Sequence, residues 1–226
     1  TAGDHTLYPD IPELAPTRHL PAHHRYIGPV SWAPTLALPA FWRELDPKKP
    51  LIYVTLGSSG GVAVVDSVLE ALRGLPVNAV LATAGRFVPR RAAANVWTCQ
   101  FAPGDRLAER AALVVSNGGS TTAYQALAAG TPVLGLPFNL DQYLAVQAAE
   151  RAGAATHVRS GAADARSIRR AIDHMLCDGR YRENASRLAR MLRRHDAARS
   201  FREFVDGAFA TASPGYEQDE LVAMKS

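Results

Sequence analysis

The chain has 226 residues, of which 47% are hydrophobic and 20% charged, and it carries a net charge of +4 at pH 7. This composition excludes intrinsic disorder for most of the chain, and the length suffices for one large α/β domain or two small ones without disulfides or metals. No apolar run approaches the roughly 18 to 20 residues of a membrane-spanning helix. Two cysteines that are far apart in sequence and form no metal-binding spacing indicate reduced thiols, so we expect a cytoplasmic protein.

The basic residues are concentrated near the C-terminus. Eleven of the 25 lysines and arginines lie between Arg166 and Arg202, with acidic residues among them. The segment lacks the regular aromatic interleaving of nucleic-acid-binding sequences. It therefore indicates a solvated helix surface and no nucleic-acid partner.

The first 50 residues differ in composition from the rest of the chain. They hold nine of the 15 prolines, and prolines at this density interrupt long helices and central strands. We therefore expect residues 1–50 to form a proline-rich linker with one short helix from Pro39 to Leu45. Residues 211–226 have the composition of a disordered tail, which leaves residues 51–210 for the folded domain.

From Leu51 onward, short apolar runs alternate with helical patterns. The predicted strands are Leu51–Leu56, Val77–Leu81, Val96–Cys99, Leu113–Val115, Val133–Leu136 and Ala154–Val158. The first predicted helix begins near Val65. The others cover Leu107–Ala111, Gly119–Ala129, Leu140–Arg151, Ala163–Leu176 and Tyr181 to about Ala208. This alternation predicts an α/β fold with a doubly wound, mainly parallel sheet and helices on both faces. Ligands of such folds bind beyond the carboxyl ends of the strands.

A glycine-rich loop, Gly57-Ser58-Ser59-Gly60-Gly61, follows the first of these strands. Glycines at the start of a helix let an anion approach the free backbone N–H groups. The loop lacks the spacing of a dinucleotide fingerprint and the lysine of a P-loop. By itself it is equally compatible with a purely structural turn.

The loop Ser116-Asn117-Gly118-Gly119-Ser120-Thr121-Thr122 stands between another strand and its helix. It offers hydroxyls, an amide and a glycine pair at a helix N-terminus, which suits a pyrophosphate. The alternative is a plain N-cap run, but capping needs only one such residue. We therefore favour anion binding for this loop.

A third loop, Gly135 to Gln142, follows the strand at Val133. Asn139, Asp141 and Gln142 offer donors and acceptors for the vicinal hydroxyls of a sugar. The alternative is that Asn139 or Asp141 caps the next helix.

Taken in order, these motifs resemble the C-terminal, nucleotide-sugar-binding half of GT-B-fold glycosyltransferases. The UDP-glycosyltransferases and the macrolide (antibiotic) glycosyltransferases are the most similar group. The resemblance rests on Gly57-Ser58, on Asn117-Gly118-Gly119 with Thr122 and Gln125, on Gly130-Thr131-Pro132, and on Pro137 to Gln142. The segment Tyr26-Ile27-Gly28-Pro29-Val30 resembles the family's exit from its N-terminal domain. The resemblance covers Tyr26 to Ala208 and implies the Rossmann-like half of a GT-B fold.

Position by position, the resemblance implies a donor site. Gly57 and Ser58, with Ser59 beside them, approach the phosphates, and Gln100, Phe101, Ala102 and Pro103 form a shelf for the nucleobase. The diphosphate is held by Asn117, Gly118, Gly119, Ser120, Thr121 and Thr122. Gln125 binds the ribose hydroxyls, and Asn139, Asp141 and Gln142 bind the transferred sugar.

Three positions depart from the family pattern. Asn117 replaces a histidine that contacts the diphosphate, so a hydrogen-bond donor remains but no positive charge can develop. Gln125 replaces a glutamate, and Ala145-Val146 stand where Asn-Ala often follows. These changes mark either a subfamily with its own donor preference or a weakened donor site.

The function implied by the resemblance is donor binding in an inverting glycosyltransferase that moves a hexose from a UDP-sugar or dTDP-sugar to an acceptor hydroxyl. It implies no cofactor and no metal. The catalytic base is a histidine of an N-terminal acceptor domain, in the same full-length chain or a separate acceptor subunit. The seven histidines of this chain are interpreted as structural or solvated.

Other functions stay open at this stage. One is a free-standing donor-binding subunit of a split glycosyltransferase, with the arginine-rich helices as candidates for docking. Another is a UDP-sugar 2-epimerase, which needs catalytic carboxylates near the sugar. A NAD-dependent oxidoreductase would need a G-x-G-x-x-G loop after the first strand, which Gly57 to Gly61 does not supply.

Overall fold

The computed structural model describes residues 3–57, 64–87 and 93–211. Its strands are β1 (Thr6–Tyr8), β2 (His24–Tyr26), β3 (Leu51–Thr55), β4 (Asn78–Ala82), β5 (Val96–Cys99), β6 (Leu113–Ser116), β7 (Val133–Gly135) and β8 (Ala155–His157). Its α-helices are α1 (Val65–Leu72), α2 (Gly104–Arg110), α3 (Ser120–Ala128), α4 (Leu140–Arg151), α5 (Ala165–Cys177), α6 (Arg180–Leu192) and α7 (Ala197–Thr211). Short 3-10 helices cover Ala40–Glu44 and Ser160–Ala162.

Six strands form one parallel sheet in the order β5-β4-β3-β6-β7-β8. The chain moves outward from β3 to β5 on one side and then returns to place β6 on the other side of β3. The strand order therefore reverses between β3 and β6, which creates a crevice at their carboxyl ends. This arrangement confirms the predicted doubly wound fold.

Helices cover both faces of the sheet. On one face, Ile52 and Val54 of β3 share a buried apolar cluster with residues of α1 and α5. On the other face, Leu51 and Tyr53 share a second cluster with residues of α2, α3, α4 and α6. All five residues of β3 are buried because successive side chains point to opposite, equally covered faces. A central strand therefore appears in the sequence as a continuous apolar run.

The predicted strands of the sheet match the observed ones to within one residue at either end. The prediction was wrong for Tyr181 to Ala208, which it treated as one helix. The structure ends α6 at Leu192 and begins α7 at Ala197. The Asp196 side chain accepts a hydrogen bond from the Arg199 N–H at 3.0 Å. This side-chain cap starts a new helix inside a segment whose arginine content favours continuous helix.

The proline-rich segment before Leu51 packs on the sheet domain. β1 and β2 form a two-stranded parallel sheet, and the 3-10 helix Ala40–Glu44 lies where a short helix was expected. Ile11 and Leu14 are buried in the same cluster as α3 and α6. The predicted tail falls, except for Thr211 at the end of α7, outside the described residues. None of the described helices is long and apolar enough to cross a membrane.

Candidate functional site

The first two predicted loops meet at the reversal point of the sheet. Thr55 at the end of β3 pairs with Ser116 at the end of β6. Gly57 and Asn117, one or two residues further on, are neighbours: a Cβ placed on Gly57 would lie 3.4 Å from Asn117 Nδ2. Ser58 and Ser59, predicted to approach the phosphates, lie outside the described residues.

Side chains of the second loop bind its own backbone. The N–H of Gly118 donates to Ser116 Oγ at 3.1 Å, and the N–H of Gly119 donates to Asn117 Oδ1 at 3.1 Å. Gly118 has a φ of +80°, and a Cβ there would lie 3.0 Å from the Gln142 carbonyl oxygen. Only glycine combines this left-handed backbone with such a close neighbour. The loop is thus a tight, internally bonded turn directed at the start of α4.

The first turn of α3, next to this loop, supplies further N–H and hydroxyl groups. The N-cap of α3 is Gly119, which has no side chain to cap the helix, and the first intrahelical bond joins Ala123 N to Gly119 O at 3.0 Å. The N–H groups of Ser120, Thr121 and Thr122 precede that bond, as the first N–H groups of any helix do. Ser120 and Thr121 are also exposed. The plain capping alternative therefore does not describe these hydroxyl residues.

Gln125 lies one turn further along α3, between two other segments. Its Nε2 donates to the carbonyl oxygen of Trp32 at 2.8 Å. Its Oε1 would lie 2.9 Å from a Cβ placed on Gly104, the first residue of α2. Gly104 directly follows the predicted base shelf of Phe101, Ala102 and Pro103. The structure therefore brings the predicted ribose residue next to the predicted base shelf.

The base shelf leads from β5 into α2. Phe101 is 59% exposed, whereas Pro103 is buried. Beneath the start of α2 lies the Tyr53 hydroxyl, 3.3 Å from a Cβ placed on Gly104. Burial, acting against a weaker opposing hydrogen bond with Thr55, raises the pKa of Tyr53 to about 12. Tyr53 is therefore a neutral phenol at neutral pH.

The third loop is used partly for structure. Asn139 is the N-cap of α4, and its Oδ1 accepts a hydrogen bond from the Gln142 N–H at 3.0 Å, as the capping alternative expects. Gln142 is buried, and its Oε1 accepts from the Phe138 N–H at 3.2 Å. Asp141 is exposed in the first turn of α4. Asn139 and Asp141 are both exposed, and Asn139 is the one of the two whose side chain caps the helix.

A cavity of about 370 Å³ lies between α3, α4 and the N-terminal segment. Ser120 and Asp141 both line it, so a predicted diphosphate residue and a predicted sugar residue share one groove. Asp10 and Tyr124 line it as well, and the Tyr124 hydroxyl donates to Asp10 Oδ1. Burial and then the Asp10 carboxylate raise the pKa of Tyr124.

Two histidines in the described part of the chain contact side chains of neighbouring elements. His157 Nδ1 lies 3.0 Å from Glu150 Oε2 and joins β8 to α4, while His174 packs edge-on against Tyr181. No cluster of three or more histidine, cysteine, aspartate or glutamate residues suitable for a metal ion occurs among the described residues. The absence of a metal requirement stays a prediction.

A family model described as "Erythromycin biosynthesis protein CIII-like, C-terminal domain" matches residues 68–198, more than half of the chain. The chain belongs to this family. The match begins in α1 and ends in α7. The EryCIII-like C-terminal domain of this chain therefore includes the second and third loops, the base shelf and Gln125. The predicted relationship to macrolide glycosyltransferases is confirmed.

Curated mycobacterial proteins are similar to this EryCIII-like domain. The chain is 48% identical over 189 residues to a PGL/p-HBAD biosynthesis glycosyltransferase of Mycobacterium tuberculosis, covering 84% of the chain and 44% of that protein. It is 46% identical over 189 residues to a PGL/p-HBAD biosynthesis rhamnosyltransferase of Mycobacterium bovis, covering 84% of the chain and 42% of that protein. The chain thus spans less than half the length of these relatives.

Solved structures share the fold of the EryCIII-like domain. The spinosyn rhamnosyltransferase SpnG, complexed with thymidine diphosphate, superposes with a TM-score of 0.75 at 23% identity, covering 88% of this chain and 56% of that one. The calicheamicin glycosyltransferase CalG4 superposes with a TM-score of 0.71 at 22% identity, covering 85% and 49%. At these identities the likeness concerns the fold, which is that of GT-B glycosyltransferases.

Sequence reasoning missed residues outside the three loops. Trp32, Asp10 and Gly104 all contact predicted site residues or line the same groove. Trp32 carried one available signal, since it is a large aromatic residue in a proline-rich stretch. Asp10 carried none, because a single carboxylate among prolines is ordinary surface composition.

Proposed function

We propose that this chain is the donor-binding half of an inverting, metal-independent glycosyltransferase. It binds a nucleoside-diphosphate hexose across the carboxyl ends of β3, β5, β6 and β7. The single observation that carries the proposal is the meeting of the Gly57 and Asn117 loops at the reversal point of the sheet. Doubly wound sheets bind nucleotides at that point.

The diphosphate would lie at the first turn of α3. The N–H groups and hydroxyls of Ser120, Thr121 and Thr122 supply donors there, and the helix dipole adds a partial positive charge. These groups can stabilise a departing diphosphate without a metal ion. Asn117 Oδ1 is bonded to the Gly119 N–H, so its first effect is to hold the shape of the loop.

The remaining chemistry would come from an acceptor-binding half. An acceptor hydroxyl deprotonated by a histidine of that half would attack the anomeric carbon, and the configuration would invert. The relatives that are twice as long as the matched region support a two-domain enzyme. We favour a transferase over an epimerase because the relatives are named glycosyltransferases and rhamnosyltransferases.

The names of the relatives suggest candidates for the sugar and the nucleotide of the donor. A relative that is 46% identical is named a rhamnosyltransferase, and SpnG, which shares the fold, is a rhamnosyltransferase complexed with thymidine diphosphate. We therefore include a deoxyhexose such as rhamnose among the candidate sugars, and dTDP beside UDP among the carriers.

Calorimetric titration of the purified chain tests the proposal. The titrants are UDP, dTDP, GDP and NAD, each in the presence of EDTA. We expect UDP or dTDP to bind without a metal and GDP and NAD to bind at least about tenfold more weakly, a difference of 1.4 kcal/mol. Binding of NAD alone, or of no nucleotide, would contradict the proposal.

A variant pair localises the site. Gly119→Val combined with Thr122→Val removes a hydroxyl and places a branched side chain where a Cβ lies 3.3 Å from Asn117 Oδ1. We expect it to weaken nucleotide binding at least about tenfold. The control is Gly179→Val at the N-cap of α6, where a Cβ has no neighbour within 4 Å. Equal nucleotide affinities of the double variant and the control would refute this location.

A further inference from the structure

The carboxamide of Gln125 joins two segments that carry exposed aromatic residues. Its Nε2 donates to the Trp32 carbonyl oxygen at 2.8 Å, and its Oε1 lies against Gly104. Trp32 is 69% exposed, and Phe101, three residues before Gly104, is 59% exposed. One exposed aromatic side chain needs no explanation. Here the two segments that carry such residues both contact Gln125, a residue of the predicted nucleotide site.

The contact with Gly104 depends on the absence of a side chain there. A Cβ on Gly104 would lie 2.9 Å from Gln125 Oε1 and 3.3 Å from the Tyr53 hydroxyl. An alanine would therefore push Gln125 away from α2 and towards Trp32. The small residue at the start of α2 and the amide on α3 together set the distance between the two aromatic segments.

The hydrogen bond to Trp32 requires a donor at position 125. A glutamine side chain has both a donor and an acceptor, whereas an ionised glutamate has acceptors only. A glutamate at this position would direct a negative oxygen at the Trp32 carbonyl oxygen, which is also an acceptor. Glutamine therefore fixes Trp32 in a way that its acidic counterpart cannot.

We propose that Gln125 positions Trp32 as a wall of the nucleoside pocket, where the indole stacks on the nucleobase opposite the shelf that Phe101 begins. The inference rests on the proposed function, because it concerns the same site. Flat aromatic side chains bind bases through stacking with little dependence on base identity. Trp32 thus contributes affinity for the nucleoside, while Gln125 acts through Trp32 as a positioning residue.

Tryptophan fluorescence tests the stacking directly. The chain has three tryptophans, Trp32, Trp42 and Trp97. Whichever of UDP or dTDP binds the unmodified chain is titrated into it and into Trp32→Phe and Trp97→Phe. We expect the nucleotide to quench emission of the unmodified chain and of Trp97→Phe, and the quenching to vanish in Trp32→Phe. Trp97 is a suitable control because it lies on β5 beside Lys49 and Arg73, in a different cavity.

Affinity measurements test the role of Gln125. Calorimetry should show about tenfold weaker nucleotide binding for Trp32→Ala, as expected from the loss of one stacking contact. Gln125→Leu removes the hydrogen bond at similar size and should weaken binding and reduce the quenching. The double variant should bind no more weakly than Trp32→Ala, because both changes remove the same interaction.

The outcomes separate this inference from the proposed function. If no nucleotide binds the unmodified chain, the proposed function fails. If a nucleotide binds and Trp32→Ala keeps full affinity, or Trp32→Phe keeps the quenching, the inference fails while the function stands. Additive losses for Gln125→Leu and Trp32→Ala would show that Gln125 acts independently of Trp32 and would overturn its positioning role.

Discussion

Arg182 on α6 binds the C-terminal ends of two neighbouring helices. Its Nη2 donates to the carbonyl oxygen of Ala111, the C-cap of α2, at 2.7 Å, and its Nη1 donates to that of Gly130, just after α3, at 2.9 Å. Helix C-termini carry partial negative charge and unpaired carbonyl groups. One guanidinium therefore satisfies two helices that position the candidate site. Burial lowers the pKa of Arg182, but an arginine keeps its charge in proteins.

Replacing Arg182 should destabilise the fold. Arg182→Met keeps much of the apolar stem but removes these two hydrogen bonds and a third to Thr131 Oγ1 at 3.0 Å, so we expect the free energy of unfolding to fall by about 1–2 kcal/mol. Arg187→Met, at another exposed position of the same helix, should change it by less than about 0.5 kcal/mol. Urea denaturation followed by circular dichroism gives both values. Equal effects of the two changes would mean that Arg182 is only a solvated residue.

The sequence could not distinguish Arg182 from its neighbours. Eleven arginines follow Asp164, and their pattern predicts one solvated surface. Which of them reaches a carbonyl group depends on how α6 packs on α3, a long-range contact without a local signal. Arg169 is a second example, since its Nη1 donates to the Arg73 carbonyl oxygen at 2.8 Å, beyond the end of α1.

The elements of the sheet were predictable because local and global preferences agree. A buried parallel strand is a short apolar run and a surface helix has an amphipathic period, so β3 to β8 follow from the sequence. The use of cap residues was less predictable. Asn139 caps α4 with its side chain, whereas α3 has Gly119 at its cap and leaves its hydroxyl residues exposed. Similar polar runs thus cap a helix in one loop and leave exposed hydroxyl groups at the helix N-terminus in the other.

The break between α6 and α7 depends on Asp196. Its side chain accepts the Arg199 N–H, and its carbonyl oxygen accepts the Ser200 N–H at 2.9 Å. Asp196→Ala should lower the free energy of unfolding by about 1 kcal/mol, because one N-terminal N–H of α7 loses its partner. Asp196→Asn retains an accepting oxygen and should cost less than half of that. If urea denaturation gives the same stability for Asp196→Ala and the unmodified chain, the cap does not stabilise α7.

At the scale of the whole molecule, the segment before Leu51 is tied to the sheet domain at several points. Ile11 and Leu14 are buried among residues of α3 and α6. The Tyr124 hydroxyl donates to Asp10, and Gln125 donates to the Trp32 carbonyl oxygen. Proline density predicted a linker and gave no sign of these contacts. Two apolar residues within a polar stretch are too weak a pattern to indicate burial, since the surface that covers them is formed by distant helices.

These contacts predict that the segment and the sheet domain unfold together. Ile11 is fully buried, so Ile11→Ala should lower the free energy of unfolding by about 2–4 kcal/mol through lost burial and a cavity. Leu20→Ala, in the same segment but at a side chain that is 45% exposed, should change it by less than about 0.5 kcal/mol. Both variants should unfold in a single transition in urea, monitored by circular dichroism for the helices and by tryptophan fluorescence. A linker that does not stabilise the sheet domain would instead give the two variants equal stability, and the fluorescence of Trp32 would then change before the helices unfold. The first outcome would make the segment a permanent wall of the groove that Ser120 and Asp141 line, because Asp10 lines that groove and Trp32 contacts Gln125 only while the segment is folded.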